Sequence, residues 1–142
     1  MIYKTNSINL YYLTKGKNDP FIILHGWGCS HLDVEMLVNF LCKNFKVYVL
    51  DFPGFGFSKE PIKPLGIPFL AEMLNNFITD LNIKNPIILG HSYGGRVGIE
   101  YASRYDNISK LILLSSAGIK HHYVSNTIEI KKYKLKKWYY KK

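Results

Sequence analysis

The sequence predicts an α/β fold, with a mostly parallel, doubly wound sheet and helices flanking it. Two observations support this. Short apolar runs alternate with longer segments in which apolar residues recur at helical spacing. The short runs are apolar throughout rather than at every second residue, which is typical of strands buried on both faces. In open sheets of this kind, ligands bind beyond the carboxyl ends of the strands.

The amino-terminal half contains three predicted strands and one helix. Residues 8–13 form the first strand, which a polar turn at residues 15–20 ends. Residues 21–24 form a compact second strand, and residues 46–50 form the third. Between these two strands, apolar residues recur at helical spacing over about residues 30–44, which predicts a helix with one apolar stripe.

The following part of the chain repeats this alternation. A proline-rich loop leads into a predicted helix over residues 69–81. Residues 86–89 and 110–114 form two more buried strands, and the helix between them runs to about residue 105. The last four strands each end in a glycine-bearing loop. We expect three of these four loops to meet at one edge of the sheet, around Ser92.

Composition excludes several classes of protein. The chain has 142 residues, of which 47% are hydrophobic and 20% charged, so one packed domain is expected rather than disorder. The longest apolar run is four residues, whereas a transmembrane helix needs about 20 and a signal peptide about 7–15. Two cysteines, Cys29 and Cys42, make neither a disulfide framework nor a zinc site. The sequence therefore predicts a cytoplasmic protein with reduced thiols.

Residues 90–94 carry the first chemical motif. They read Gly-His-Ser-Tyr-Gly, which fits the pattern G-x-S-x-G between a strand and a helix. A serine in this pattern lies on a tight turn that lifts its hydroxyl above the sheet. The two glycines are needed because side chains would collide in such a turn. The motif predicts Ser92 as a nucleophile, and the alternative is a serine in an ordinary glycine turn.

A second motif, His-Gly-Trp-Gly at residues 25–28, follows the strand that we expect to lie beside the strand of Ser92. Acyl transfer needs backbone N–H donors aimed at the developing oxyanion. The predicted donors are the N–H groups of Trp27 and Tyr93, aided by the positive end of the helix that begins at Tyr93. His25 is expected to brace this loop through hydrogen bonds rather than to act as the base.

The third motif, at residues 51–58, reads Asp-Phe-Pro-Gly-Phe-Gly-Phe-Ser. It fails the dinucleotide pattern G-x-G-x-x-G because residue 59 is lysine, and residues 26–28 fail it because residue 31 is histidine. No cofactor and no metal are therefore expected. Asp51 is expected to tie down its own loop.

Taken in this order, the three motifs resemble the α/β-hydrolase fold superfamily. They are most similar to its serine-nucleophile branch of small esterases, carbon–carbon bond hydrolases, iminopeptidases and haloperoxidase-like enzymes. The resemblance covers about residues 1–118, the amino-terminal portion of such a core, and implies a fold truncated after about the sixth strand. It also implies hydrolysis of a small-molecule ester or other acyl bond through an acyl-enzyme. Branches with an aspartate nucleophile, such as dehalogenases and epoxide hydrolases, are disfavoured by the serine at position 92.

The family's catalytic triad continues with an acid and then a histidine, and the sequence after Ser92 lacks such a pair. Glu100 lies about 12 Å of helix rise beyond the serine, and no histidine follows Glu129. The other downstream candidates are equally unsuitable by position or order: Asp106, His121 and His122. We therefore expect these 142 residues alone to turn over slowly or not at all. The alternatives are a non-catalytic protein that binds a ligand or partner, or half of a split enzyme whose carboxyl-terminal half is a separate chain.

Residues 119–142 form a basic tail. Residues 120–142 hold eight of the chain's 19 Lys and Arg residues but only one of its 10 acids. The tail is interpreted as the start of a truncated cap, with an apolar stripe at Ile128, Leu135 and Trp138. Contact with an anionic membrane is an alternative. Specific nucleic-acid recognition is poorly supported because the tail has no arginine.

Overall fold

The computed structural model describes residues 1–4 and 8–118 of the chain. Its strands are β1 (Ile2–Lys4), β2 (Asn9–Lys15), β3 (Pro20–Leu24), β4 (Lys46–Leu50), β5 (Ile87–His91) and β6 (Lys110–Leu114). Its helices are a short 3₁₀ helix (His31–Val34), α1 (Glu35–Leu41), α2 (Ile67–Asp80) and α3 (Tyr93–Arg104).

The strands form one six-stranded sheet in the order β1-β2-β4-β3-β5-β6. Strands β4, β3, β5 and β6 are parallel to one another, and β1 and β2 add to one side as antiparallel strands. The predicted α/β class and mostly parallel sheet are confirmed. β1 was not predicted, because three residues with one buried side chain carry no recognisable periodicity.

The two faces of the sheet carry two separate hydrophobic clusters. In β3, Ile22 and Leu24 belong to the cluster that includes the buried residues of α2 and α3. The alternate residues, Phe21 and Ile23, belong to the cluster that includes Val38 of α1. Because successive side chains of a strand point to opposite faces, helices on both faces require an uninterrupted apolar run.

A capping box formed by neighbouring residues starts the helical segment after β3. The Ser30 hydroxyl accepts a hydrogen bond from the Leu32 N–H at 3.3 Å, and the Asp33 carboxylate accepts one from the Ser30 N–H at 2.8 Å. This reciprocal capping box starts a 3₁₀ turn. The predicted helix over residues 30–44 is therefore shorter than expected, and α1 ends at Leu41.

Strand β6 forms the other edge of the described sheet. The side chains of Ile112, Leu113 and Leu114 are all substantially exposed there, in contrast to the buried β3, β4 and β5. Within the described residues, no helix combines the length and apolar character needed to cross a bilayer. The basic tail predicted at residues 119–142 lies outside the described residues.

Candidate active site

Ser92 is the single residue between β5 and α3, and its backbone has φ 49° and ψ −109°. Such a conformation costs a non-glycine residue about 1–3 kcal/mol and persists only where the surroundings enforce it. Here the Ser92 N–H donates to the Leu114 carbonyl at 3.1 Å. The Ser92 carbonyl accepts from the N–H groups of Gly95 at 3.1 Å and Ala117 at 2.9 Å. Strand β6 and the turn after it thus hold the serine in this strained backbone.

The glycines of residues 90–95 allow the backbone to approach its neighbours closely. A Cβ on Gly90 would lie 2.6 Å from the Cα of Gly95. A Cβ on Gly94 would lie 2.2 Å from the carbonyl oxygen of Leu24. Both distances are far below any real contact of a Cβ atom, so the predicted collision is confirmed. We call residues 90–95 the Ser92 turn.

The other two predicted site residues lie next to each other beside this turn. The ring centroids of Trp27 and Tyr93 are 5.1 Å apart and the planes meet edge to face. Within the described part of the chain, neither the Trp27 N–H nor the Tyr93 N–H donates a hydrogen bond to a protein acceptor. Tyr93 is the first residue of α3, where helix geometry leaves N–H groups unpaired. The structure therefore brings Ser92, Tyr93 and Trp27 to one edge of the sheet.

His25 is fully buried between two neighbouring loops. Its Nε2 accepts a hydrogen bond from the Phe52 N–H at 3.0 Å, which requires that Nδ1 carry the proton and donate it to the Gly26 carbonyl at 2.8 Å. Burial lowers the pKa of this imidazole, against the opposing effect of the Gly26 bond, so it is neutral. The expected bracing role is confirmed, since both ring nitrogens are occupied by backbone groups.

Asp51 holds the loop of residues 51–58, which we call the Asp51 loop. Its buried carboxylate accepts three hydrogen bonds: from the His31 N–H at 2.6 Å, from His31 Nδ1 at 2.7 Å and from the Phe57 N–H at 3.0 Å. The Phe57 bond confirms that Asp51 ties down its own loop. His31 was not predicted as a partner, because its only distinctive feature in the sequence is that it interrupts a glycine pattern.

A cavity of about 490 Å³ opens beside these loops. Trp27 and Tyr93 line one part of it, Phe52 and Phe55 of the Asp51 loop line another, and residues 60–65 complete it. Its volume is in the range of about 300–1,000 Å³ that is usual for small-molecule sites. Ser92 directly precedes Tyr93 in the chain, so the cavity lies next to the predicted nucleophile.

The four loops that follow β3, β4, β5 and β6 all meet at this edge. Three were expected to do so. The fourth contact arises because the Ala117 N–H, in the loop after β6, bonds to the Ser92 carbonyl. In this respect the structure gives a more complete site than the sequence indicated.

The described residues bring no acid or histidine into a hydrogen bond with the Ser92 hydroxyl. Glu100 instead forms an ion pair with Arg104 one helical turn away on α3, and Asp106 is exposed. The remaining downstream candidates, His121, His122 and Glu129, lie outside the described residues. Among the residues described, no group of three or more His, Cys, Asp and Glu side chains is arranged to hold a metal ion.

A family model described as "alpha/beta hydrolase fold" matches residues 19–140. The match covers most of the chain, and the observed sheet is mostly parallel with helices on both faces, as the sequence predicted. The chain therefore belongs to the α/β-hydrolase family, and the resemblance predicted from the three motifs is confirmed.

The curated relatives of the chain include members of this superfamily and named hydrolases. It is 34% identical over 113 residues to the AB hydrolase superfamily protein YisY of Bacillus subtilis (strain 168), covering 78% of this chain and 42% of that protein. It is 28% identical over 112 residues to a soluble epoxide hydrolase of Corynebacterium sp. (strain C12), covering 77% and 38%. It is 30% identical over 112 residues to a pimeloyl-[acyl-carrier protein] methyl ester esterase of Vibrio vulnificus (strain YJ016), covering 78% and 42%.

Solved structures agree with this assignment. An esterase from Exiguobacterium antarcticum superposes with a TM-score of 0.72 at 29% identity, covering 78% of this chain and 42% of the esterase. The chain thus spans about two fifths of the length of the curated relatives it matches.

Proposed function

We propose that this protein is a serine hydrolase of small-molecule esters or related acyl compounds. In this mechanism the Ser92 hydroxyl attacks the acyl carbonyl, the leaving group departs, and water then releases the acid from the acyl-enzyme. The observation that carries the proposal is the Ser92 backbone, which has a positive φ in a turn between a parallel strand and a helix. Strain of this kind is retained where function requires it.

The proposed oxyanion site consists of the backbone N–H groups of Trp27 and Tyr93. Trp27 belongs to the loop after β3 and Tyr93 belongs to the Ser92 turn. Neither N–H group has a protein acceptor among the described residues. Tyr93 also begins α3, so the positive end of that helix favours negative charge there. In most acyl-transfer sites, stabilisation of the transition state by preorganised donors of this kind is the largest single contribution to the rate.

Esters are favoured over epoxides as substrates by the residue in the turn. A member of the branch that includes epoxide hydrolases would carry an aspartate nucleophile at position 92. This chain has serine there. The pimeloyl-[acyl-carrier protein] methyl ester esterase and the Exiguobacterium esterase among the proteins compared support an ester substrate. The proposed acyl or alcohol pocket is the cavity beside Trp27 and Tyr93, with its aromatic lining.

The proposed domain organisation assigns residues 1–118 to the amino-terminal part of a hydrolase core and residues 119–142 to the start of a cap. The family match extends to residue 140, which supports the cap over contact with a membrane or nucleic acid. A cytoplasmic location is part of the same proposal and follows from the composition and cysteine content.

Turnover by the 142 residues alone is proposed to be slow. The oxyanion site and the binding cavity give residual catalysis without a triad, but a serine without a base is a weak nucleophile. Glu100 is paired with Arg104, and no acid or histidine among the described residues forms a hydrogen bond with the Ser92 hydroxyl.

The test uses a fluorophosphonate probe on the full chain. We expect slow covalent labelling that Ser92→Ala abolishes and that Ser103→Ala, at an exposed hydroxyl on α3, leaves unchanged. Labelling that persists in Ser92→Ala would overturn the proposed nucleophile. Labelling at the rate of a competent hydrolase would contradict the proposed absence of a base.

The alternative function is non-catalytic binding of a ligand or partner, or service as one half of a split enzyme. It is favoured by the described residues, none of whose acids or histidines forms a hydrogen bond with the Ser92 hydroxyl. Co-expression with the carboxyl-terminal portion of a relative, beyond the part that this chain matches, tests the split form. Restored esterase activity would support it, and failure of the two chains to co-purify would exclude it.

A further inference from the structure

The cavity beside Trp27 and Tyr93 adjoins a second, apolar groove. This groove has a volume of about 310 Å³ and is lined by Ile8, Pro61, Ile62, Lys63, Leu65 and Phe69. Four of these residues, 61–63 and 65, also line the first cavity. The two spaces therefore border the same short loop segment.

We infer that this groove holds the far end of an extended acyl chain whose carbonyl lies at Ser92. The inference rests on the proposed function and adds the substrate class: medium- to long-chain fatty acyl compounds rather than short acyl esters. A short acyl group fits within the first cavity alone, and the groove shares four lining residues with that cavity but not Trp27 or Tyr93.

The chemistry of the groove matches an aliphatic ligand. Five of its six lining residues are apolar, and its one charged residue is Lys63. A lysine presents a long apolar stem before its ammonium group, so Lys63 can pack along a hydrocarbon chain while its charge stays in water.

Exposure of the lining residues also points to a ligand. The Ile62 side chain is 99% exposed and the Phe69 ring is 39% exposed, although both line the groove. Isolated exposed apolar residues are common, but here both line one groove that shares four lining residues with the proposed binding cavity. A bound hydrocarbon chain would remove this surface from water, and each fully buried methylene raises affinity by about fourfold.

The test separates binding from chemistry. Butanoate, octanoate and dodecanoate are titrated calorimetrically, below their micelle concentrations, into the full chain carrying Ser92→Ala. We expect affinity to rise with chain length, with dodecanoate at least tenfold tighter than butanoate. Adding Phe69→Ala should weaken dodecanoate by about fivefold and leave butanoate unchanged. Ile62→Ser, at a position without buried contacts, should act in the same direction.

The matched control is Phe40→Ala. Phe40 is 66% exposed and lies on α1, which packs on the opposite face of the sheet. The Phe40→Ala substitution should leave the affinities for all three acids unchanged. If Phe69→Ala and Phe40→Ala behave alike, or if the three acids bind equally, the acyl groove is wrong.

Fluorophosphonates with short and dodecyl chains then test the reaction in the chain with Ser92 intact. Faster labelling by the dodecyl probe, lost in Phe69→Ala, supports both proposals. Equal labelling by both probes keeps the serine nucleophile and overturns the groove. Absence of labelling with Phe69-dependent dodecanoate binding overturns the hydrolase and retains the acyl site.

Discussion

The Ser92 turn and the Asp51 loop lie at the same edge of the sheet but are held by different forces. In the Ser92 turn, backbone approaches backbone so closely that Gly90 and Gly94 leave no room for a Cβ. In the Asp51 loop, one buried carboxylate collects three hydrogen bonds. The first region depends on steric exclusion, and the second depends on charge and donors, so they should respond differently to substitution.

Gly94→Ala should have the largest effect on stability. Its Cβ would lie 2.2 Å from the Leu24 carbonyl oxygen, which belongs to the buried strand β3 and has little freedom to move. We expect a loss of about 3 to 5 kcal/mol in the free energy of unfolding, measured by urea denaturation. Gly66→Ala is the control, because its Cβ meets nothing closer than 3.6 Å. Equal losses of stability in both variants would show that the Ser92 turn does not depend on the close backbone contact at Gly94.

Asp51→Asn should have the next largest effect. The amide keeps the shape of the side chain but replaces one acceptor oxygen with a donor, which faces donors from His31 and Phe57. Breaking a buried network of this kind should cost about 2 to 3 kcal/mol. Asp19→Asn, at an exposed site, should cost less than about 0.5 kcal/mol. Hydrogen exchange at the Phe57 amide should accelerate in Asp51→Asn alone, and unchanged exchange would contradict this anchoring.

His25 joins the loop after β3 to the Asp51 loop and should make stability depend on pH. Its pKa is lowered in the folded protein, mainly by burial, so below about pH 6.5 the unfolded chain binds a proton that the folded chain does not. The free energy of unfolding should therefore fall as the pH drops from 7.5 to 5.5. His25→Gln should flatten this dependence of the free energy of unfolding on pH. Equal slopes in wild type and His25→Gln would refute the prediction.

Ser92→Gly should have the smallest effect, and with the opposite sign. Glycine adopts a positive φ without strain but costs more backbone entropy, so a net gain of about 0.5 to 1 kcal/mol is expected. Fluorophosphonate labelling should disappear in the same variant, as in a trade of function for stability. Ser103→Gly, in the regular helix α3, should instead lose about 0.5 to 1 kcal/mol. A loss in Ser92→Gly would mean that the turn is unstrained.

Much of the core and of the candidate site follows from local sequence. The apolar runs predict the buried strands because a strand that is covered on both faces needs apolar side chains at every position. The glycines around Ser92 predict the tight turn, because the collision that they avoid involves the serine's own turn and the strand beside it. The bracing role of His25 was also predictable, since a histidine between a buried strand and a glycine turn has backbone groups close by.

Other features depend on which distant segments meet. The pairing of His31 with Asp51 joins residues 20 positions apart, and no spacing rule gives it. Strand β1 is too short to show a pattern, and it forms because β2 offers it an antiparallel edge. The groove of the acyl proposal likewise requires Ile8, the 61–65 segment and Phe69 to converge.

The sequence by itself therefore determined the class of fold, the position of Ser92 on its turn, and the two loops beside it. These features depend on backbone conformation and on burial, both of which can be predicted from short stretches of sequence. Only the tertiary structure decided what anchors the Asp51 loop, how the fourth loop meets Ser92, and where the cavity continues. Those contacts arise between segments far apart in the chain, and strand order, rather than local preference, sets them.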